Sequence, residues 1–249
     1  LAQLGLPEEL SIFTKKSKGF VLVTGPTGSG KTTTLASLID IINKERYEHI
    51  ITIEDPIEFI HNHKNCVIEQ REVGIHTDSF AYALRSALRE DPDVIFVGEM
   101  RDLETISMAV TAAETGHLVF STLHTNSAAE TVERIINVFP PHQQNQIRMQ
   151  VAESLLGIVA QTLIPTIDEE GRVPALELMI ATPAIRNIIR EEKTHQMPAM
   201  IQMGRKDGMI SLDQSLKELL VEGKISREEA IKKAIDKKVF METRGSYRH

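Results

Sequence analysis

Residues 25–32, Gly25-Pro26-Thr27-Gly28-Ser29-Gly30-Lys31-Thr32, fit the G-x-x-x-x-G-K-[ST] phosphate loop without a mismatch, and Thr33 follows directly. The chemistry of such a run is anion binding. Its glycines let the backbone curl and aim N–H groups at phosphate oxygens, and a helix starting at the loop's end turns its positive pole the same way. Lys31 is placed to reach the β- and γ-phosphates and Thr32 to bind Mg²⁺, so ATP and Mg²⁺ are the expected ligands.

Acids with complementary chemistry follow. Residues 91–102 read DPDVIFVGEMRD, and Glu99 emerges just past a short apolar run. A carboxylate there can hold Mg²⁺ through water or polarise an attacking water. Residues 53–59 read IEDPIEF. Glu54, Asp55 and Glu58 repel one another unless a cation sits nearby, and either Glu58 or Glu99 can serve as the general base. Residues 116–126 read GHLVFSTLHTN, in which His117 opens a run and His124 follows its end. This pattern suits a sensor of the γ-phosphate. No third ligand lies close enough in sequence to make the histidine pair a metal site. Arg71, Arg85, Arg89 and Arg101 are the candidate arginines for charge on a transferring phosphoryl group, acting within the chain or from a neighbouring subunit.

These residues need a frame. FVLVT (20–24) precedes the phosphate loop, and Leu35, Leu38, Ile39 and Ile42 follow at helical spacing. Further strands are expected over 49–53, 66–69, 93–97, 117–122 and 173–180. Helices are expected over 31–44, 79–89, 103–114, 128–138 and 143–162. Strand–helix alternation implies an α/β fold, a mostly parallel sheet with helices on both faces. In an open α/β sheet the ligand lies beyond the carboxyl ends of the strands, where each motif above ends. From residue 181 the pattern turns helical. Ser211 with Gln214, and Ser226 with Glu229, read as capping boxes, and Gly223 as a helix stop. The expected division is an ATPase core over 1–180 and a helical subdomain over 181–249, with a frayed tail at 242–249.

Composition excludes several classes. The chain has 249 residues, 4% aromatics, no Trp and net charge −7, which disfavours a nucleic-acid partner. Residues 1–180 hold 14 basic against 25 acidic residues, while 181–249 hold 14 against 10. Cys66 is the only cysteine, so neither an internal disulfide nor a cysteine-rich zinc site can form, and a reducing compartment is the natural reading. No apolar run approaches the ~18 residues of a membrane span, and no signal peptide is visible. Leu1 at the start suggests a fragment.

Four ordered motifs, GPTGSGKTTTLAS, ITIEDPIEF, LREDPDVIFVGEMRD and GHLVFSTLHTN, closely resemble those of the secretion/pilus superfamily of ring ATPases. AIRNIIRE at 184–191 resembles a signature of its type IV pilus retraction branch. The assembly branch usually carries a tetracysteine loop, which one cysteine cannot build. The resemblance implies a RecA-like P-loop core with a following helical subdomain. It also implies a homohexamer on the cytoplasmic side of the inner membrane, an inner-membrane platform partner, and ATP hydrolysis that drives pilus retraction and twitching motility. It assigns Gly25 to Thr32 to phosphate and magnesium, Glu99 to the Walker B position, Glu54 and Glu58 to the Asp box and His117 and His124 to the His box. It sets Arg71 and Arg85 near the nucleotide. Members carry a PAS-like domain of about a hundred residues before this core, whereas only residues 1–19 precede the first expected strand here. The rival readings are an assembly or secretion ATPase of the same superfamily, a nucleotide-binding scaffold without productive hydrolysis, and a DNA translocase.

Overall fold

Strands that are apolar at successive positions must be covered on both faces. β1 (Gly19–Thr24), β4 (Val94–Val97) and β5 (Leu118–Leu123) are of this kind, with every residue buried. With β2 (His49–Glu54), β3 (Val67–Glu72), β6 (Leu155–Pro165) and β7 (Arg172–Ile180) they form one seven-stranded sheet in the computed structural model, which describes residues 1–241. The order is β3-β2-β4-β5-β1-β6-β7. All neighbours run parallel except β6 and β7. The frayed tail expected over 242–249 lies outside the described residues.

Alternate side chains of each strand point to opposite faces. Phe20, Leu22, Ile51, Ile53, Ile95, Val97 and Val119 join one cluster with apolar residues of α2 (Phe80–Ala87), α3 (Leu103–Thr115), α4 (Ala128–Asn137) and α5 (Pro141–Ser154). Val21, Val23, Ile50, Val94, Phe96, Leu118 and Phe120 face the other way, onto α1 (Lys31–Glu45) and the 3₁₀ segment Glu8–Lys15. Helices on both faces of a mostly parallel sheet match the expected architecture.

Beyond residue 181 the chain serves two clusters. Ile185 and Ile189 of α6 (Pro183–Arg190) and Ile201 of α7 (Met197–Met203) pack into the cluster of α2–α5. α8 (Leu212–Val221), α9 (Arg227–Lys233) and α10 (Lys238–Met241) build a separate small core with Ile164 and Ala175 of the β6–β7 hairpin. The capping box at Ser211 and Gln214 forms both of its bonds. At α9 only the Ser226 half forms, because the Glu229 side chain pairs with Lys232 instead. Arg186 of α6 donates to the carbonyls of Ala152 and, at 2.6 Å, Glu153, which are orphan acceptors at the end of α5.

One expected element is wrong. The helix read over 143–162 ends at Ser154, and β6 begins at the next residue. Ile147, Val151, Leu155 and Ile158 recur every three or four residues, so the helical period runs on through the junction. The second half is settled by partners distant in sequence. β6 pairs parallel with β1 and antiparallel with β7.

Candidate nucleotide site

Four adjacent strands deliver the expected motifs to one edge. The phosphate loop leaves β1, Glu54 ends β2, Glu99 follows β4 and His124 follows β5. Between them lies a cavity of about 350 Å³. Thr27, Gly28, Ser29, Gly30, Lys31, Thr32 and Thr33 line it together with Glu54, Glu58, Glu99 and His124. Gly25 and Pro26 sit behind this lining, where their carbonyls accept from Lys31 Nζ at 2.9 and 3.1 Å.

Backbone geometry explains two loop glycines. Gly25 has φ +145°, and a Cβ there would lie 2.1 Å from the Gln161 carbonyl oxygen and 2.6 Å from Ser29 Oγ. Gly30, at φ +86°, is the residue from which α1 starts. Any side chain is strained there. The amide end of α1 therefore opens into the cavity, as an anion site requires.

Lys31 is buried, and burial pushes its ammonium below the ordinary lysine range, against the opposing pull of Glu99 and Glu58. Glu99 is bracketed. Arg101 pairs with it at 2.7 Å and His124 Nε2 lies 2.9 Å from its Oε1. Arg101 first, and then His124, hold its carboxyl below the usual carboxylate range. Ser121 Oγ donates to the Val97 carbonyl at 2.7 Å and Thr122 Oγ1 to the Gly98 carbonyl at 2.5 Å, which fastens the end of β4 to β5. Glu58 stands on the loop after β2, where Glu72 accepts from the neighbouring Ile57 N–H at 3.0 Å.

Glu54 differs from the other acids. It is only 3% exposed, and burial pushes its pKa above the ordinary range. Thr52 Oγ1 and Gln70 Nε2 both donate to its Oε1, at 2.6 and 3.1 Å. A raised carboxyl pKa means that the folded state holds its proton longer than the unfolded chain does. The associated stability is present at acid pH and is lost as pH rises through the folded pKa. Glu54→Gln keeps an oxygen acceptor and carries no charge. It is therefore expected to melt above the parent near about pH 8, with the difference closing below the ordinary glutamate range of about pH 4. Melting curves at the two pH values check this; a variant that melts below the parent at both would contradict it.

Other expected residues lie elsewhere. His117 precedes the opposite end of β5, and its Nδ1 lies 3.0 Å from the Ala112 carbonyl at the close of α3. A strand of six residues separates it from His124 by about 20 Å, so the expectation that His117 binds nucleotide in this cradle is corrected. Its motif neighbour is carried to the cavity and it is carried away, because the strand between them runs straight. Arg71 on edge strand β3 pairs with Glu69 and Glu90 at 3.0 and 2.5 Å, and Arg85 on α2 pairs with Glu104. Neither lines the cavity of its own chain.

The sequence reading missed Gln161, because it fell inside the misread helix. It reaches the back of the phosphate loop from β6. The available signal was a lone glutamine inside an apolar run, LLGIVAQTLI.

Comparison with known proteins follows the same lines. The family model described as Type II/IV secretion system protein matches residues 4–232. The chain is 56% identical over 234 residues to the Type IV pilus retractation ATPase PilT of Pseudomonas aeruginosa, covering 94% of this chain and 68% of that protein. It is 53% identical over 234 residues to the Twitching motility protein of Neisseria gonorrhoeae, covering 63% of that protein. Among solved structures it is similar to the crystal structure of the pilus retraction motor PilT with bound ADP, at TM-score 0.89 and 52% identity. That match covers 96% of this chain and 67% of the other.

Proposed function

The chain belongs to the Type II/IV secretion system protein family, and from that premise we propose that it is the ATP-hydrolysing motor domain of type IV pilus retraction. The observation that carries the reading is the convergence of Lys31 and its amide-lined loop with Glu54, Glu58, Glu99 and His124 around one cavity. The names of the similar retraction ATPase, twitching motility protein and ADP-bound motor support the same assignment.

In this reading the β- and γ-phosphates of ATP dock on the loop amides, and Lys31 turns from the carbonyls of Gly25 and Pro26 to the phosphate oxygens. Mg²⁺ fits the donors present. Thr32 offers a hydroxyl and Glu99 a carboxylate beside the same cavity, and Mg²⁺ commonly takes one or two protein ligands and completes its shell with water and phosphate. No group of three or more His, Cys, Asp or Glu among the described residues forms an all-protein cage. When bound, the ion would neutralise charge on the transferring phosphoryl group. Glu99 or Glu58 polarises the in-line water. His124, hydrogen-bonded to Glu99, senses loss of the γ-phosphate. Positioning and charge supply most of the catalysis. The division into a core over 1–180 and a helical subdomain over 181–249 belongs to the same proposal.

The assembly in which this motor works is a homohexamer acting at the cytoplasmic face of the inner membrane on a platform protein. No helix among the described residues is long and apolar enough to cross a membrane. Arg71 and Arg85, placed outside their own chain's cavity, act on the nucleotide of a neighbouring subunit. In cells deleted for the gene, the expected result is excess surface pili and no retraction, with Glu99→Gln failing to complement. Loss of piliation would instead favour the assembly ATPase.

A pH profile tests the bracketing of Glu99. A depressed pKa keeps this carboxylate ionised to lower pH than an ordinary glutamate. Removing the guanidinium in Arg101→Gln lets its pKa rise. The acid limb of kcat/KM, which reports groups of the free enzyme, is expected to move to higher pH. A limb that stays in place would transfer the base role to Glu58.

A further inference from the structure

We propose that Gln161 is a positioning residue of the nucleotide site, which sets the direction of the phosphate-loop peptide between Ser29 and Gly30; this rests on the nucleotide reading above. Gln161 is only 5% exposed, in a strand where Val159 and Ile164 are fully buried. A primary amide carried into such a place costs free energy unless both its ends are hydrogen-bonded. Both are. Nε2 donates to the Ser29 carbonyl at 2.7 Å, and Oε1 accepts from the Thr34 hydroxyl at 2.7 Å.

The two partners flank the residues that matter. Ser29 belongs to the loop, Thr34 to the first turn of α1, and Lys31 and Thr32 lie between them. In a planar trans peptide the carbonyl and the following N–H point in opposite directions. With the Ser29 carbonyl turned to Gln161, the Gly30 N–H is turned away from it, toward the cavity that Ser29 and Gly30 line. The loop also packs closely against Gln161. A Cβ on Gly30 would lie 3.0 Å from Gln161 Nε2, and one on Gly25 would strike the Gln161 carbonyl oxygen. One residue of β6 thus supports the loop through its backbone and its side chain together. Gln161 touches no reacting atom and acts through the peptide it orients.

The test compares Gln161→Leu, Gln161→Glu and Lys31→Ala in the intact protein, by titration with a fluorescent ADP analogue and by melting without nucleotide. Gln161→Leu removes both bonds and frees the peptide that directs the Gly30 N–H, and is expected to bind ADP about tenfold or more weakly, equivalent to at least about 1.4 kcal/mol. Gln161→Glu supplies the signature that a packing role lacks. Ionised, a glutamate accepts only and cannot donate to the Ser29 carbonyl; protonated, it recovers a donor. Its affinity relative to the parent is expected to be weak near about pH 8 and to recover near about pH 6, since burial raises the pKa of a carboxyl group. Parent-like binding by Gln161→Leu, or a Gln161→Glu deficit that does not change with pH, overturns the proposal. If Gln161→Leu does not fold, the pH series on Gln161→Glu decides alone. Lys31→Ala separates the two levels. Parent-like binding there removes the nucleotide reading itself, whereas loss of binding there with intact binding in both Gln161 variants removes only the role of Gln161.

Discussion

Lys31→Ala is expected to weaken ATP and ADP binding by at least about 100-fold and to bring turnover to background. Hydrogen bonds to charged groups contribute about 1.5–3 kcal/mol each, and a single lysine that contacts two phosphate groups supplies more than one. The ammonium is also buried before it meets the ligand, so its attraction for phosphate is less screened than at an exposed lysine. That same burial separates loss of binding from loss of folding. The hydrogen-bond partners of Lys31 Nζ are the neutral carbonyls of Gly25 and Pro26, and Glu99, the acid that acts on it most, keeps Arg101 and His124 when the lysine is removed. The melting temperature without nucleotide should therefore stay within a few degrees of the parent. Isothermal titration with ADP together with melting curves checks both halves. Unchanged affinity in a folded variant would mean that the cradle is not a phosphate site.

Glu99→Gln should give the opposite dissociation of effects. Nucleotide binding is retained, and turnover falls by about 10²–10⁴-fold, the range supplied by a positioned proton acceptor. The amide has nearly the shape of the carboxylate and still accepts from His124 or Arg101, so the cavity keeps its form. It cannot take a proton from water. Phosphate release under saturating ATP, measured beside ADP affinity, distinguishes the outcomes. Parent-like turnover would make Glu58 the base. A parallel loss of affinity would assign Glu99 to binding instead of chemistry.

Much of the site was legible because its pieces are local. A phosphate loop is one continuous peptide between a strand and the helix it starts, and its glycine and lysine spacing follows from backbone geometry alone. The acids and His124 were legible through a second rule, that a motif ending an apolar strand comes out at the carboxyl edge of an α/β sheet. The same rule shows why His117 misled. It shares a motif with His124, but it stands before the strand and His124 after it.

Residues close in the chain were enough for the β1–loop–α1 unit, for the alternation of strands and helices as far as residue 154, and for the sheet edge at which the motifs converge. The tertiary structure alone decided the strand order β3-β2-β4-β5-β1-β6-β7, the conversion of 155–162 from expected helix to strand, and the meeting of Gln161 with Ser29 and Thr34. It also decided the salt-bridged placement of Arg71 and Arg85 outside the cavity. The Gln161 contacts and the β1–β6 pairing join segments more than a hundred residues apart, and the ion pairs of Arg71 and Arg85 reach between separate elements. Hydrophobic period records which face of a segment is buried. It does not record what that face is buried against, and for an apolar run such as LLGIVAQTLI the choice between helix and strand is made by the partner.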